Sequence, residues 1–177
     1  KAVKLVFPQF EFGWLADELK ENLPRELNFE LEGHNAERTA RNFRSSGLFT
    51  IPKIHWRFTK KRLLTMEFCE GHRVTDTAAI KKHDISLRAV SDRLTKAYSE
   101  MIFLHGFVHC DPHPGNILVR PAYKGFELVL LDHGLYKELP DDFRLSYARL
   151  WRALINGDEA EIKASAMALG GGSAHRL

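Results

Sequence analysis

The densest run of polar and reactive side chains in the 177-residue sequence is His109-Cys110-Asp111-Pro112-His113-Pro114-Gly115-Asn116, followed after a short apolar interval by Asp132-His133-Gly134. Asp132 and Asn116 offer a carboxylate and an amide oxygen, the hard donors that Mg²⁺ prefers. Asp111 is then free to orient an acceptor hydroxyl or water and take up its proton, with His109 supporting the loop from behind. Gly134 lets the chain depart sharply after the metal ligand. Chemistry that clamps a highly charged phosphoryl group with divalent ions needs this combination.

The spacing narrows the reading further. His109, Asp111 and Asn116 fit H-x-D-x-x-x-x-N, and Asp132 with Gly134 fits D-x-G. Protein kinases place their catalytic and metal-binding loops in that order, one hairpin apart. Taken singly, an Asp-Pro is a turn and a D-x-G a tight bend; the shared spacing carries the argument. His105, His109 and His113 recur at intervals of four with Cys110 and His133 nearby, which invites a zinc site instead. Gly106, Pro112, Pro114 and Gly115 break the helix that would put those ligands on one face.

Rigid elements must present these loops. From Ser86, which suits an N-cap, the residues Leu87, Val90, Leu94, Ala97, Tyr98, Met101 and Ile102 keep helical spacing, and Gly106 stands where such a helix ends. The runs Asn116–Val119 and Phe126–Leu131, separated by Pro121 and Gly125, predict a hairpin between the two polar loops. Upstream, residues 51–59 and 62–69 are β-branched and aromatic segments joined by Thr59-Lys60-Lys61, a second hairpin ended by Gly71, with Lys60-Lys61-Arg62 as a solvated turn. Phe10, Trp14, Leu15, Leu19 and Leu23 mark an amphipathic helix, Pro24 restarts the chain, and a charged helix runs over 25–44 to a close at Gly47. Phe143, Tyr147, Leu150, Trp151 and Leu154 line one face of a helix over 141–156, and a last helix covers 158–169. The pattern is α+β.

Composition sets the outer limits. A hydrophobic fraction of 44% with 12 Gly and 7 Pro excludes collagen and low-complexity disorder. Basic and acidic residues, 26 against 23, are interspersed along the chain, so nothing points to nucleic acid. Cys69 and Cys110 are too few for a disulfide framework, and a reducing compartment is expected. No apolar run approaches the roughly 20 residues that span a bilayer, and no signal peptide opens the chain. Because the sequence starts at Lys1 without a Met, an upstream part carrying any targeting segment is expected.

The strings HCDPHPGNILV, LLDHGLY, FPQFEFGWLADELKENLPRELNFELEGHNAER and DDFRLSYARLWRAL resemble the UbiB-type, or aarF-domain-containing, atypical kinases. The DHG in place of the commoner DFG is similar to a mitochondrial branch of that family. The resemblance runs to about Leu169 and leaves only the Gly-rich tail outside it. It implies a protein-kinase-like bilobal fold, incomplete in the N-terminal lobe and truncated in the C-terminal lobe. Residues 1–68 would be a partial N-lobe, 69–169 the C-lobe with both loops, and 170–177 the tail.

The resemblance also implies roles. Glu32 becomes the helix-borne glutamate that pairs with a nucleotide-contacting lysine, and Glu67 and Cys69 belong to the hinge whose backbone bonds adenine. Glu26 and Asn28 match the family's E-x-D motif, with Asn replacing the second acid, which alters the charge near the nucleotide and metal. Lys4 in Ala2-Val3-Lys4 imitates the essential lysine, but the family carries that lysine, the phosphate loop and a K-x-G-Q motif farther upstream. The cofactors implied are ATP and Mg²⁺. Few residues separate Gly134 from the helix near Asp141, no A-P-E follows, and Cys110 replaces the usual Arg, so a small-molecule or lipid-linked substrate is expected rather than a peptide. The family implies mitochondrial lipid or ubiquinone-related work with peripheral membrane contact, although Trp14 and its helix fit core packing better. A second reading is a pseudokinase-like nucleotide-binding scaffold. The 177 residues alone are expected to bind ATP weakly and turn it over slowly.

Overall fold

The computed structural model describes residues 28–171, so Lys4, Trp14, Glu26 and the amphipathic segment over 10–23 lie outside the described residues. Helix α1 (Phe29–Asn42) begins at Asn28, whose side-chain oxygen accepts the Glu30 N–H at 3.2 Å. Glu30 and Glu32 occupy its first turn, where the helix dipole favours carboxylates. Gly33, Ala36 and Thr39 are buried along one face of α1. These small residues let neighbours approach closely: a Cβ on Gly33 would lie 2.8 Å from Cη2 of Trp56. The Trp56 indole N–H in turn donates to Glu37 at 2.6 Å, so the segment after α1 leans on it.

That segment was expected to be a regular hairpin and is a broken one. Antiparallel pairing survives as isolated bridges between Ile54 and Met66 and between Lys60 and Leu63. A turn in which Phe58 N–H donates to His55 C=O interrupts the ladder, and the buried Thr59 hydroxyl accepts the Thr65 N–H at 3.1 Å in place of a rung. Lys60, Lys61 and Arg62 are exposed at the tip.

Strand β1 (His72–Arg73) and the short helix α2 (Thr77–Lys82), capped by Asp76, lead to α3 (Leu87–Glu100), capped by Ser86 as its sequence predicts. Residues Met101–His105 widen into a π turn that ends at Gly106, whose φ of 59° lies in the left-handed region. There a side chain would also meet the Leu139 carbonyl at 3.1 Å.

Strands β2 (Phe107–His109), β3 (Ile117–Ala122), β4 (Gly125–Leu130) and β5 (Tyr136–Glu138) follow. The predicted second hairpin is β3–β4, and β1 adds to it in the order β1-β3-β4, all antiparallel. A separate pair, β2–β5, sets His109 opposite Tyr136. Neither partner was expected from sequence, because three residues are too short to show alternation. Val90 and Ala97 of α3 and Met101 of the π turn join Val119, Leu128 and Leu130 of the hairpin in one buried cluster, with Phe43 and Phe49 beside them.

Helix α4 (Asp141–Asn156) matches its predicted span, and α5 (Glu159–Ala166) runs into a widened turn over Met167–Gly171. The predicted apolar face of α4 is present but largely exposed, at 40% for Phe143, 47% for Trp151 and 49% for Leu154; Ala153 is its buried residue. No helix among the described residues is long and apolar enough to cross a membrane.

Candidate active site

Strand β2 delivers His109 to the end of the core, where it is only 2% exposed. The Asp111 N–H donates to His109 Nδ1 at 3.0 Å, so that nitrogen carries no proton. Nε2 therefore holds the hydrogen and donates to the Asp132 carbonyl at 3.1 Å. Burial pushes this imidazole's pKa down, consistent with a neutral ring that ties the two predicted loops together.

The two loops are joined a second time through Asn116. A 3₁₀ turn over Pro114–Asn116, begun by His113, feeds Asn116 into β3. Asn116 Nδ2 donates to Asp132 Oδ2 at 2.7 Å, and the Gly134 N–H donates to Asp132 Oδ1 at 2.9 Å. Each carboxylate oxygen thus has a protein donor and keeps lone pairs for a further partner.

Asp132 opens on a cleft of about 310 Å³ lined by Phe29, Glu32, Asp111, Asp132, Gly134 and Leu135. Among the described residues its lining includes three carboxylates and no lysine or arginine. Burial raises the pKa of Glu32, with the His133 N–H opposing the rise and the charge of Asp132 adding to it. This excess of negative charge is what a bound divalent cation offsets. Among the described residues no three His, Cys, Asp or Glu side chains form a metal cage. Mg²⁺ characteristically takes one or two protein oxygens and completes its shell with water and phosphate oxygens. Asp132 and Asn116 are the residues that would hold it.

His133, unassigned by the sequence reading, is buried beneath the cleft at 2% exposure. Its Nε2 donates to the Leu130 carbonyl at 3.1 Å, and its Nδ1 accepts the Tyr136 hydroxyl at 2.9 Å. Burial pushes its pKa down to about 4. The Tyr136 ring stacks on His133 and also on Phe107, which joins β5 to β2. The one sequence signal for this arrangement was a histidine where D-x-G motifs usually hold Phe.

The remaining predicted residues lie elsewhere. Asn28 caps α1, and Glu26 precedes the described residues. Glu67 N–H donates to the Lys53 carbonyl at 2.8 Å, and its carboxylate accepts the Lys53 N–H at 3.2 Å. Cys69 is buried, its thiol pKa pushed up by that burial, beside Arg120, which pairs with Glu127. Neither Glu67 nor Cys69 lines the acidic cleft.

Comparison with known proteins identifies the family and the fold. Residues 1–166 match the family described as the ABC1 atypical kinase-like domain. The chain is 50% identical over 177 residues to AarF domain-containing protein kinase 1 of Xenopus laevis and 51% identical over 178 residues to that of Mus musculus. Each match covers 99% of this chain and 34% of the relative, so the chain spans about a third of these proteins. A putative ABC1 protein of Arabidopsis thaliana is 42% identical over 94% of the chain and 34% of its own length. Among solved structures, Mycobacterium tuberculosis Rv3197, determined with erythromycin, superposes with a TM-score of 0.65 at 19% identity, covering 92% of this chain and 40% of that one. That likeness shows the fold. With the H-x-D and D-x-G loops joined through His109 and Asp132 over an acidic cleft, the chain belongs to the ABC1 atypical kinase-like family.

Proposed function

We propose that the longer protein containing this chain is an ATP- and Mg²⁺-dependent phosphotransferase or ATPase with Asp111 as catalytic base and Asn116 and Asp132 as metal ligands. The observation that carries the reading is the placement of Asp111 and Asp132 on one cleft, with both Asp132 oxygens oriented by donors. When bound, the metal neutralises phosphate charge and ATP supplies the phosphoryl group. Asp111 orients the acceptor hydroxyl or water and receives its proton at a carboxylate oxygen as the γ-phosphoryl moves to that acceptor and ADP departs. His109 keeps the two loops in register through Nε2 and Nδ1. Glu32 stands at the cleft to meet a lysine supplied from upstream.

A small-molecule or lipid-linked acceptor fits better than a peptide. The stretch after Gly134 is tied into the β2–β5 pair and reaches α4 at Asp141, leaving no extended segment to dock one. By resemblance to the aarF-domain kinases, the work belongs to mitochondrial lipid or ubiquinone-related homeostasis at a membrane surface. A nonenzymatic, nucleotide-binding scaffold is the second reading, favoured by Asn28, which replaces a family carboxylate and is committed to the α1 cap.

The test uses the full-length protein. Mg-ATP should raise its melting temperature more than ATP with chelator, and Asp132→Asn should abolish both the magnesium increment and turnover. Turnover unaffected by Asp132→Asn would overturn the enzymatic assignment. A retained nucleotide shift with no turnover in the wild type would favour the scaffold.

A further inference from the structure

Two side chains of α1, one turn apart, hold both ends of a single residue's main chain. Glu32 Oε1 accepts the His133 N–H at 3.3 Å, and Asn35 Nδ2 donates to the His133 carbonyl at 3.0 Å. The i, i+3 spacing puts both on one helix face. From the other side the His133 ring is held by the Leu130 carbonyl and the Tyr136 hydroxyl.

The two α1 contacts differ in what else they must do. Glu32 also lines the cleft, faces the charge of Asp132 and is the partner expected for an incoming lysine. Its bond to His133 is the longer of the two and competes with that role. Asn35 is absent from the cleft lining, so its amide is available to hold His133 whatever occupies the site. The peptide it grips begins at the residue directly after Asp132.

We propose that Asn35 is a positioning residue for Asp132: by fixing the His133 carbonyl against α1 it sets the main-chain direction from which the Asp132 carboxylate faces the cleft. The inference rests on the metal-site reading above. Loss of groups that orient a metal ligand typically costs about 10- to 100-fold in metal affinity or activity. Asn35 lies at the low end of that range, because Asn116 and Gly134 still hold the carboxylate itself.

The experiment measures Mn²⁺ binding to the full-length protein with ADP present, by electron paramagnetic resonance, alongside metal-free ADP affinity and the melting temperature. Asn35→Ala should weaken Mn²⁺ binding by about 10-fold while metal-free ADP affinity stays within about twofold. Asn35→Leu, close in shape to the amide but without its donor, should show the same loss and guards against a cavity effect. Asp132→Asn should weaken Mn²⁺ more than either. If both Asn35 variants bind Mn²⁺ like wild type while Asp132→Asn does not, the positioning role is wrong and the metal site stands. If Asp132→Asn also binds like wild type, the metal-site reading fails with it. Equal losses of Mn²⁺ and metal-free ADP affinity in the Asn35 variants, tracking a fall in melting temperature, would mean general loosening and overturn the positioning role.

Discussion

Asn116 and Asp132 form a directional pair, the amide nitrogen of one donating to Oδ2 of the other at 2.7 Å while Oδ1 accepts the Gly134 N–H. Because both oxygens accept, an amide at position 132 satisfies one donor and opposes the other, whichever way it is turned. The pairing also decides which end of Asn116 is left for a cation, namely its oxygen.

Asp132→Asn should therefore destabilise the full-length protein by about 1–3 kcal/mol in urea unfolding. Combining it with Asn116→Asp restores one donor facing one acceptor and should recover most of the loss. A double variant no more stable than the single one would contradict the pair.

Converting the DHG loop to the commoner DFG should not be neutral. Phe at position 133 removes the partner of the buried Leu130 carbonyl and one of the two partners of the half-buried Tyr136 hydroxyl, which keeps Thr39. His133→Phe is expected to cost about 2 kcal/mol, since the buried Leu130 carbonyl is left without the imidazole N–H. Adding Tyr136→Phe should cost less in the His133→Phe background than in the wild type, because its hydroxyl has already lost the imidazole and keeps only Thr39. Purely additive losses in this double-mutant cycle would show that the two rings are not coupled.

Tyr98 carries a buried hydroxyl without a hydrogen-bond partner among the described residues, and burial, aided by the charge of Asp111, pushes its pKa up to about 12. The unfolded chain ionises near pH 10, earlier than the native one. The contribution of Tyr98 to stability is thus constant well below pH 10 and is lost as pH rises through 10 toward 12. Tyr98→Phe should gain about 1 kcal/mol at pH 7 by removing the unpaired group. Its advantage should widen between pH 9.5 and 11 in chemical denaturation; an advantage independent of pH would disprove the shifted phenol.

The contact of Gly33 with Trp56 predicts a further cost. An alanine gains up to about 1 kcal/mol of helix propensity, but its methyl would sit 2.8 Å from the indole and displace it. Overpacking of that kind costs about 1–3 kcal/mol. Gly33→Ala should lower stability on balance and shift tryptophan emission to the red. Unchanged emission in a stabilised protein would show that Trp56 moves aside freely.

Local signals were readable from sequence and long-range ones were not. Ser86, the apolar stripe of α3 and Gly106 lie within one helix, so the cap, the periodicity and the stop all appear in a short window. The span of α4 and the β3–β4 hairpin were legible for the same reason. The 51–69 hairpin was only half legible, because Thr59 and the turn at His55–Phe58 replace ladder bonds with local ones. The H-x-D and D-x-G residues announced themselves by spacing, but the grip of Asn35 on His133 joins residues 98 positions apart and leaves no mark in either neighbourhood. The hinge segment shows the complementary limit, since the partner of Glu67 at Lys53 depends on how an irregular hairpin folds back.

The link between α1 and the DHG loop has a consequence for synthesis. The helix that supplies Glu32 and Asn35 leaves the ribosome some hundred residues before the peptide it must hold. Until His133 emerges, the face of α1 bearing those two side chains has no native partner, and contacts of such long range form late in folding. The nascent chain therefore displays an incomplete acidic cleft for several seconds at ordinary elongation rates, about 5–20 residues per second. Ribosome-bound chains arrested before residue 133 should bind Mn²⁺ no better than an unfolded control.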